Sequence, residues 1–437
     1  MDVQGTSGPG AGEPGAGAGG AGVAGAGGSA AAGAGHGVRL PVLLFGVLAV
    51  FTAQQALSPV LAPLAREVGL AEIAIGLVVT GAAVVFTATA LWWGRAVDRF
   101  GHRPVMLAGS ALAVLGLVGF AGVTQAALAG VLSPGGTLAL MLLTRSVIFG
   151  AGVGAVPVAA VAIIAAATTD ERTRTKGIGQ IGAMQGLAIA LGPALGGALG
   201  FAGLLGPVWA APAVAAVALI VVVVAIPGGP PAARARPEAG RRTALRPWDR
   251  RLWPVLLSGF GLYLALSMVL VLLGFLVQDR LRLTAEQTVT ATGIISFGAG
   301  VVLILVQGVL VPKLGWPAAR LLRVGAPIAL LALLGLLGAG QLWLIAGAMA
   351  LLALGIGLAV PGYATAPTLL VGPDEQGSVA GLVQTVTGST FVIGPLAGTA
   401  LYGVDPVFPV LASVIACGLA TAFVWLHPAL RPVPQVT

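Results

Sequence analysis

Residues 179–197 read Gly-Gln-Ile-Gly-Ala-Met-Gln-Gly-Leu-Ala-Ile-Ala-Leu-Gly-Pro-Ala-Leu-Gly-Gly, and residues 381–399 read Gly-Leu-Val-Gln-Thr-Val-Thr-Gly-Ser-Thr-Phe-Val-Ile-Gly-Pro-Leu-Ala-Gly-Thr. At one offset of 202 residues, Gly179, Gly186, Gly192, Pro193 and Gly196 align with Gly381, Gly388, Gly394, Pro395 and Gly398, and Gly197 aligns with Thr399. Both stretches are uncharged, and each is about as long as a helix that crosses a bilayer core of ~30 Å. Glycines let neighbouring helices approach closely. Each proline removes a backbone N–H and bends its helix.

Three further words recur in the same order. Asp170-Glu171 is answered by Asp374-Glu375, and Gly152-Val-Gly154-Ala-Val-Pro157 by Gly355-Ile-Gly357-Leu-Ala-Val-Pro361. Gly94 through Gly101 is answered by Gly308 through Gly315, with Pro312 and Lys313 in place of Asp98 and Arg99. Repeated halves of this kind are how transporters are built, with a substrate site near the membrane midplane between them.

Composition sets the solvent. Hydrophobic residues make up 57% of the 437 residues and charged ones only 8%, against about 25% charged in soluble proteins. A mean hydropathy of +1.02 would leave too much apolar surface exposed in water, so the bilayer is the expected surrounding. Net charge is +8, but the cations lie in short gaps between apolar runs and form no basic patch. Nucleic acid is excluded as a partner on that ground. The single cysteine, Cys417, sits inside an apolar run, and His36, His102 and His427 end such runs. Neither an intrachain disulfide nor a His/Cys/carboxylate metal site is readable. There is no nucleophile elbow, phosphate-binding loop or paired intramembrane carboxylate. The expectation is no enzyme, no cofactor and no metal.

The apolar runs give twelve spans, near 40–62, 73–94, 104–126, 138–167, 177–200, 207–226, 252–277, 287–311, 321–339, 342–370, 378–400 and 407–427. Ser133-Pro134-Gly135-Gly136 is expected to form the turn before the fourth. The fold class is an all-α membrane protein with twelve transmembrane helices in two pseudo-symmetric six-helix bundles. Residues 1–37 are a Gly/Ala-rich tail, expected to be disordered and lacking the pattern of a signal peptide. Residues 38–227 form the first bundle, 228–251 a basic, Pro-rich cytosolic linker, 252–430 the second bundle and 431–437 a tail. With the amino terminus inside, 18 of the 22 Lys and Arg residues fall on one side, only Arg66, Arg280 and Arg282 on the other, and Arg145 inside a span. The positive-inside rule then places both termini in the cytosol. Arginine outnumbers lysine 20 to 2, which with abundant Ala, Gly and Pro suggests a GC-rich bacterial genome and hence an inner membrane.

Gly94-Arg-Ala-Val-Asp98-Arg99-Phe-Gly101-His-Arg103 joins the second and third spans. Gly94 and Gly101 are expected to turn the backbone. Asp98 is expected to sit at the start of the third span, where a carboxylate suits a helix amino terminus, or to join a charge cluster that gates the cytosolic mouth. An ordinary topology-setting loop would carry the same charges. At these residues the chain resembles the major facilitator superfamily, whose loop signature is Gly-x-Leu-Ala-Asp-Arg-x-Gly-Arg-Lys. Gly94, Asp98, Arg99, Gly101 and basic Arg103 match; Ala96 and His102 depart from it. The resemblance covers 38–427 and implies the major facilitator fold, without naming a substrate.

Gly179-x8-Ala188-x3-Gly192-Pro193-x2-Gly196-Gly197 is similar to that superfamily's antiporter signature, Gly-x8-Gly-x3-Gly-Pro-x2-Gly-Gly, with Ala188 for its second glycine. This implies the twelve-helix drug:proton antiporter branch: a monomer that exports a small amphipathic or hydrophobic compound by alternating access, with protons as its partner. A helix-packing role alone would also explain the small residues. A facilitator that imports a neutral solute shares the fold.

Arg145 is the one charge deep in an apolar run, and such a residue marks function by default. The superfamily's Arg-x-x-Gln-Gly-x-Gly signature is only partly kept after it, with Gly150 one place late and no glutamine. It is expected in the outer half of its span, where Gln54 or Gln55 could face it. Gln54, Gln55, Gln185, Tyr263, Tyr363 and Gln384 are further candidates for the cavity or a relay, and interhelical hydrogen bonding is the alternative for such polar groups. No acidic residue or histidine falls near mid-span. Proton coupling is therefore expected at the cavity mouths, through Asp98 inside and Glu72, Asp279, Glu286 or Asp405 outside, with Arg145 modulating. A reporter fused within 228–250 should read as cytosolic; labelling of a cysteine placed there by an impermeant reagent in intact cells would overturn the orientation.

Overall fold

The computed structural model describes residues 40–167, 171–225, 248–372 and 375–426. The two terminal tails, linker residues 228–247, Asp170 and Asp374 lie outside them. Among the described residues there are twelve helices long and apolar enough to cross a membrane, and no strand. They are α1 (Leu40–Glu67), α2 (Glu72–Phe100), α3 (His102–Leu128), α4 (Pro134–Ile164), α5 (Gln180–Ala202), α6 (Leu205–Val224), α7 (Trp253–Leu281), α8 (Ala285–Leu314), α9 (Ala318–Gly338), α10 (Leu342–Leu370), α11 (Ser378–Tyr402) and α12 (Phe408–Leu426).

Local chemistry sets the ends and breaks of these helices. Ser133-Pro134-Gly135-Gly136 opens α4 and is not the turn expected there. The Ser133 hydroxyl accepts the Gly136 N–H at 3.2 Å, and Pro134 occupies the first turn, where its missing N–H has no partner to lose. Thr284 and Gln287 exchange hydrogen bonds at 3.1 and 3.3 Å, a capping box that starts α8. α1 breaks at Leu57, just before Ser58-Pro59. α4 and α8 each carry a π-helical turn, Leu142–Ile148 and Val306–Leu310, the second just ahead of Pro312. The second span runs on to Phe100, so Gly94 is helix interior and not a turn. Gly101 does turn the backbone, at φ 88°, and its repeat partner Gly315 does so at φ 56°.

Packing repeats with a period of six helices. In the first half α1 packs on α5 and α6, α3 on α4 and α6, and α2 on α4; in the second α7 packs on α11 and α12, α9 on α10 and α12, and α8 on α10. The signature glycines are what make this possible. A Cβ at Gly192 would strike Gln55 of α1, with the Gln55 carbonyl carbon at 2.8 Å. A Cβ at Gly394 would strike Ser267 of α7, with the Met268 nitrogen at 3.3 Å. Each signature helix thus lies against the first helix of its own half. Gly196 abuts the Ala56 carbonyl, and Gly398 has Leu272 at 3.3 Å. Arg103 donates to the Val223 carbonyl at the end of α6 (3.1 Å), and Arg323 to the Val424 carbonyl at the end of α12 (3.4 Å). Both close helix carboxy termini that lack intrahelical partners. Arg280 does the same for α9, donating to the Leu336 and Ala339 carbonyls.

The hydrogen bonds across the tight helix contacts come from serine hydroxyls and an indole, while two glutamines nearer the helix ends, Gln125 of α3 and Gln278 of α7, accept from Trp209 of α6 and Arg66 of α1 at 3.1 and 3.3 Å. Ser146 donates to the Val78 carbonyl at 2.7 Å, Ser267 to Thr390 at 2.9 Å, and the Trp93 indole to Ala151 at 2.8 Å. A serine or threonine hydroxyl reaches a carbonyl across a tight contact, whereas the longer amide needs space the contact lacks. Gly192→Leu and Gly394→Leu should each cost about 1–3 kcal/mol by overpacking, read as a lower melting temperature in detergent. Gly182→Leu, where a Cβ meets nothing within 4 Å, should leave it unchanged; equal melting of all three would remove the packing argument.

Candidate functional site

The two halves meet at the end that holds Arg66, Arg280 and Arg282, the arginine-poor end. There α5 crosses α8 and α2 crosses α11, while α1 packs on α7 and α8. A Cβ at Gly197 would stand 2.6 Å from the Cα of Gly293, one at Gly200 2.8 Å from the Thr290 hydroxyl, and one at Gly76 2.9 Å from the Pro395 carbonyl. Further along, Thr80 donates to the Val392 carbonyl at 2.8 Å, and Gly300 lies against Ala190. Gly274 of α7 faces Ala62 of α1, at 2.7 Å from a Cβ.

These contact positions form stripes of helical period on four helices. Followed toward the arginine-rich end, the stripes run through Gly94 on α2, Gly186 and Gly182 on α5, Gly308 on α8, and Gly388 and Gly381 on α11. A Cβ at any of these six would meet nothing within 4 Å. Thr87, Leu91, Gln307 and Gln384 on the same stretches are exposed. The halves touch at one end and stand apart at the other, which leaves a cleft open to the arginine-rich end. Gly179 lies in the helix Glu171–Ala198, one turn beyond Gly182.

A charged cluster spans the closed end. Arg66 of α1 grips Asp279 of α7 with both guanidinium nitrogens, Nη2 to Oδ2 at 2.7 Å. Tyr402 of α11 donates its hydroxyl to the same Oδ2 at 2.6 Å. Glu72 of α2 lies 3.5 Å from Arg66, and the Phe275 ring lies 5.3 Å from its guanidinium carbon. The Arg66 and Asp279 side chains keep 28% and 35% of their surface exposed, so the pair is worth about 0–1 kcal/mol. The sequence treated Arg66 only as a topology signal and did not single out Tyr402. Their partners are some 213 and 123 residues away, and nothing in local pattern announces such pairs. Asp405 is taken up by its own turn, accepting the Val407 N–H at 2.8 Å. Glu286 sits in the first turn of α8.

At the arginine-rich end Asp98 does not cap α3. It lies in the last turn of α2, exposed, with no hydrogen bond or ion pair among the described residues; Gly101 precedes α3 with no side-chain cap. Arg99 is exposed and rests on Phe100, 5.1 Å from its ring centre. Arg251 at the end of the linker pairs instead with Asp249 (3.0 Å) and with Glu375 of the second half (3.3 Å). The hydrogen bonds from Arg251 hold the Asp249 carboxyl below its ordinary range.

The remaining candidates divide. Tyr363 is 1% exposed and wedged onto Gly259, donating to the Val383 carbonyl at 3.5 Å, so it does not line the cleft as expected. Tyr263 is half-buried, edge-on to Tyr363 (5.8 Å) and to exposed Phe391 (6.4 Å). Gln185 is half-buried and Gln384 exposed. Neither Gln54 nor Gln55 bonds Arg145: Gln55 lies against Gly192 of α5, and the Gln54 Oε1 is buried without a partner. Arg145 is 6% exposed, with its guanidinium carbon 4.3 Å from the Phe149 ring centre. An apolar groove of about 580 Å³, lined by Trp92, Trp93, Phe100, Val105 and Leu112 among others, belongs to α2 and α3 of one half alone.

The sequence profile of the Major Facilitator Superfamily matches residues 43–395. The tetracycline resistance protein, class G, of Vibrio anguillarum is 25% identical over 355 residues, covering 79% of this chain and 85% of that one. A bacterial homolog of the human lysosomal transporter Spinster, solved in an inward-facing and occupied conformation, matches at a TM-score of 0.66 and 15% identity, over 90% of this chain and 98% of its own. The nucleoside transporter NupG matches at 0.68 and 11% identity, over 90% and 100%. A D-xylose-proton symporter matches at 0.67 and 15%, over 90% and 98%. At such identities these structures speak for the fold alone.

The cleft makes a labelling prediction, helped by the burial of the lone Cys417. Single cysteines at Gly186 and Gly381 should react readily with a water-soluble maleimide in detergent, and cysteines at Gly197 and Gly293 slowly or not at all. Equal reactivity at the two ends would contradict the one-ended contact.

Proposed function

Because the chain belongs to the Major Facilitator Superfamily and is a transporter, not an enzyme, we propose that it exports a small amphipathic or hydrophobic compound by proton-coupled alternating access. The observation that carries this reading is the one-ended contact between the halves. A carrier needs two states in which the central site faces opposite sides, and a cleft closed at one end is one of them. With the arginine-rich end in the cytosol, as the positive-inside rule directs, this state opens inward. The six glycines that face open space at the arginine-rich end are the natural contacts of the other state. They continue the stripes that already close the arginine-poor end, and glycine is the residue that lets backbones meet. Export is supported by the antiporter-type helix around Gly192-Pro193 and by the name of the tetracycline resistance relative.

Coupling requires a group that is charged in one state and free to take a proton in the other. Asp279 meets that requirement. Here it is held by Arg66 and Tyr402 across the two halves. Opening the arginine-poor end separates α1 from α7, removes the guanidinium and presents the carboxylate to the exterior. Acid outside then favours the open state by protonating it. In this state Asp98 faces the open mouth without a partner, consistent with a gate charge that engages only when the arginine-rich end closes.

In proteoliposomes, export should accelerate when the receiving side is made acidic. Asp279→Asn keeps the side-chain shape and removes the charge, so it should weaken the response to the imposed gradient several-fold while leaving insertion intact. Export that ignored the gradient in the wild type would rule out proton antiport. An unaltered gradient response in Asp279→Asn would move coupling away from this carboxylate. Uptake of a neutral solute driven inward by the same gradient would favour import.

A further inference from the structure

Among the described residues Arg145 has no counter-ion. It lies in the π-helical turn Leu142–Ile148, 11 residues from the start of α4 at Pro134, or ~16 Å along the helix at 1.5 Å per residue. That is about a third of the way along the 31-residue helix, well inside its outer end. The turn is fixed on both sides: Ser146 donates to the Val78 carbonyl of α2, and Thr144 lies against Gly119 of α3, 2.7 Å from a Cβ there. Leu143 and Val147 take the exposed side, 49% and 48% accessible, and Arg145 is turned the other way. Its Nε and Nη1 are buried with no hydrogen-bond partner. Phe149, itself pinned on Gly116, offers a ring face, which offsets only part of the cost of a buried cation.

No side chain nearby can take the anion's part. The acidic residues with described side chains are Glu67, Glu72, Asp98, Asp249, Asp279, Glu286, Glu375 and Asp405, and every one lies at a helix end or in a loop. The other unpartnered buried polar atoms of the first half include Thr52 Oγ1 and Gln54 Oε1 on α1, which packs against the Phe149–Ala167 part of α4. In the second half Tyr263 lies edge-on to the exposed ring of Phe391.

We infer that Arg145 binds the anionic group of the transported compound, and that the compound is an amphipathic aromatic anion whose apolar body lies on the Tyr263–Phe391 side. A buried guanidinium whose Nε and Nη1 lack acceptors suits a carboxylate or sulfonate, which supplies charge-assisted hydrogen bonds. The inference rests on reading the cleft as the substrate pathway and narrows the class of substrate taken there.

The test uses matched probes on the purified full chain in detergent: 2-naphthoate and 2-naphthalenesulfonate, their neutral carboxamide and sulfonamide, and chloride against gluconate. Binding is read as thermal stabilisation, with an affinity from its concentration dependence. The two anions should stabilise the wild type with at least tenfold higher affinity than the neutral partners. Arg145→Gln should lose that tenfold preference and leave the weak binding of the neutral probes unchanged; Arg145→Lys should keep part of the preference. Should Arg145→Gln not fold, the wild-type comparison and Arg145→Lys decide. Equal binding of anionic and neutral probes, no binding of either anion, or an anion preference that survives in Arg145→Gln overturns the inference. Stabilisation by chloride alone overturns it as well and makes the site one for an inorganic ion. Gradient-driven export of the neutral amide by the wild type would leave the exporter reading standing while this inference fails; no gradient-driven movement of any probe counts against the exporter reading itself.

Discussion

Two backbones can come within contact of each other only where neither carries a side chain, and the structure depends on that constraint at Gly197 and Gly293. These residues let α5 and α8 cross with almost nothing between them. Gly76 against Pro395 does the same for α2 and α11. Close approach brings Thr80 within reach of Val392 and brings α1 far enough over α7 for Arg66 to find Asp279. The order of causes matters here. A partly exposed ion pair contributes about 0–1 kcal/mol, so packing more than charge holds this end together.

Much of the architecture was legible because packing and hydropathy are written locally. Twelve apolar runs became twelve helices, and the words around Gly192 and Gly394 recur because each must lie against the first helix of its own half. Glycine itself was less legible. Gly94 and Gly101 look alike in a loop signature, yet one is mid-helix facing open space and the other adopts a left-handed turn. The difference lies in what stands across from each residue, and only the folded chain supplies that. Asp98 was assigned to the wrong helix end for the same reason: the second span runs six residues past its apolar stretch, carried by helix propensity and not by hydropathy. Tyr363 was read as cavity-facing from its polar tip, but its ring fills the groove left by Gly259.

The scaffold is symmetric in its packing and asymmetric in its chemistry. Arg103 and Arg323 close equivalent helix ends in the two halves. The buried cation belongs to the first half alone, and the half-buried tyrosine with its exposed phenylalanine neighbour to the second. A duplicated frame can keep its two-fold contacts, which movement between states requires, while the surfaces facing each other across the cleft diverge to fit the two ends of an unsymmetrical molecule.

The π-helical turn of α4 carries one residue more than the α-helix on either side would hold. A frame with a surplus residue is indifferent to losing it: deletion of one residue between Leu142 and Ile148 would return the helix to a regular ladder without breaking the span. The flanking segments would keep their faces, because the wider turn already absorbs the surplus residue, and only residues inside the turn would change theirs. Which face of the helix Arg145 occupies is thus a matter of chain length as much as of residue type. In a lineage of such chains, a one-residue gap at this point would alter which side chains the turn turns inward while leaving both the arginine and the helix in place.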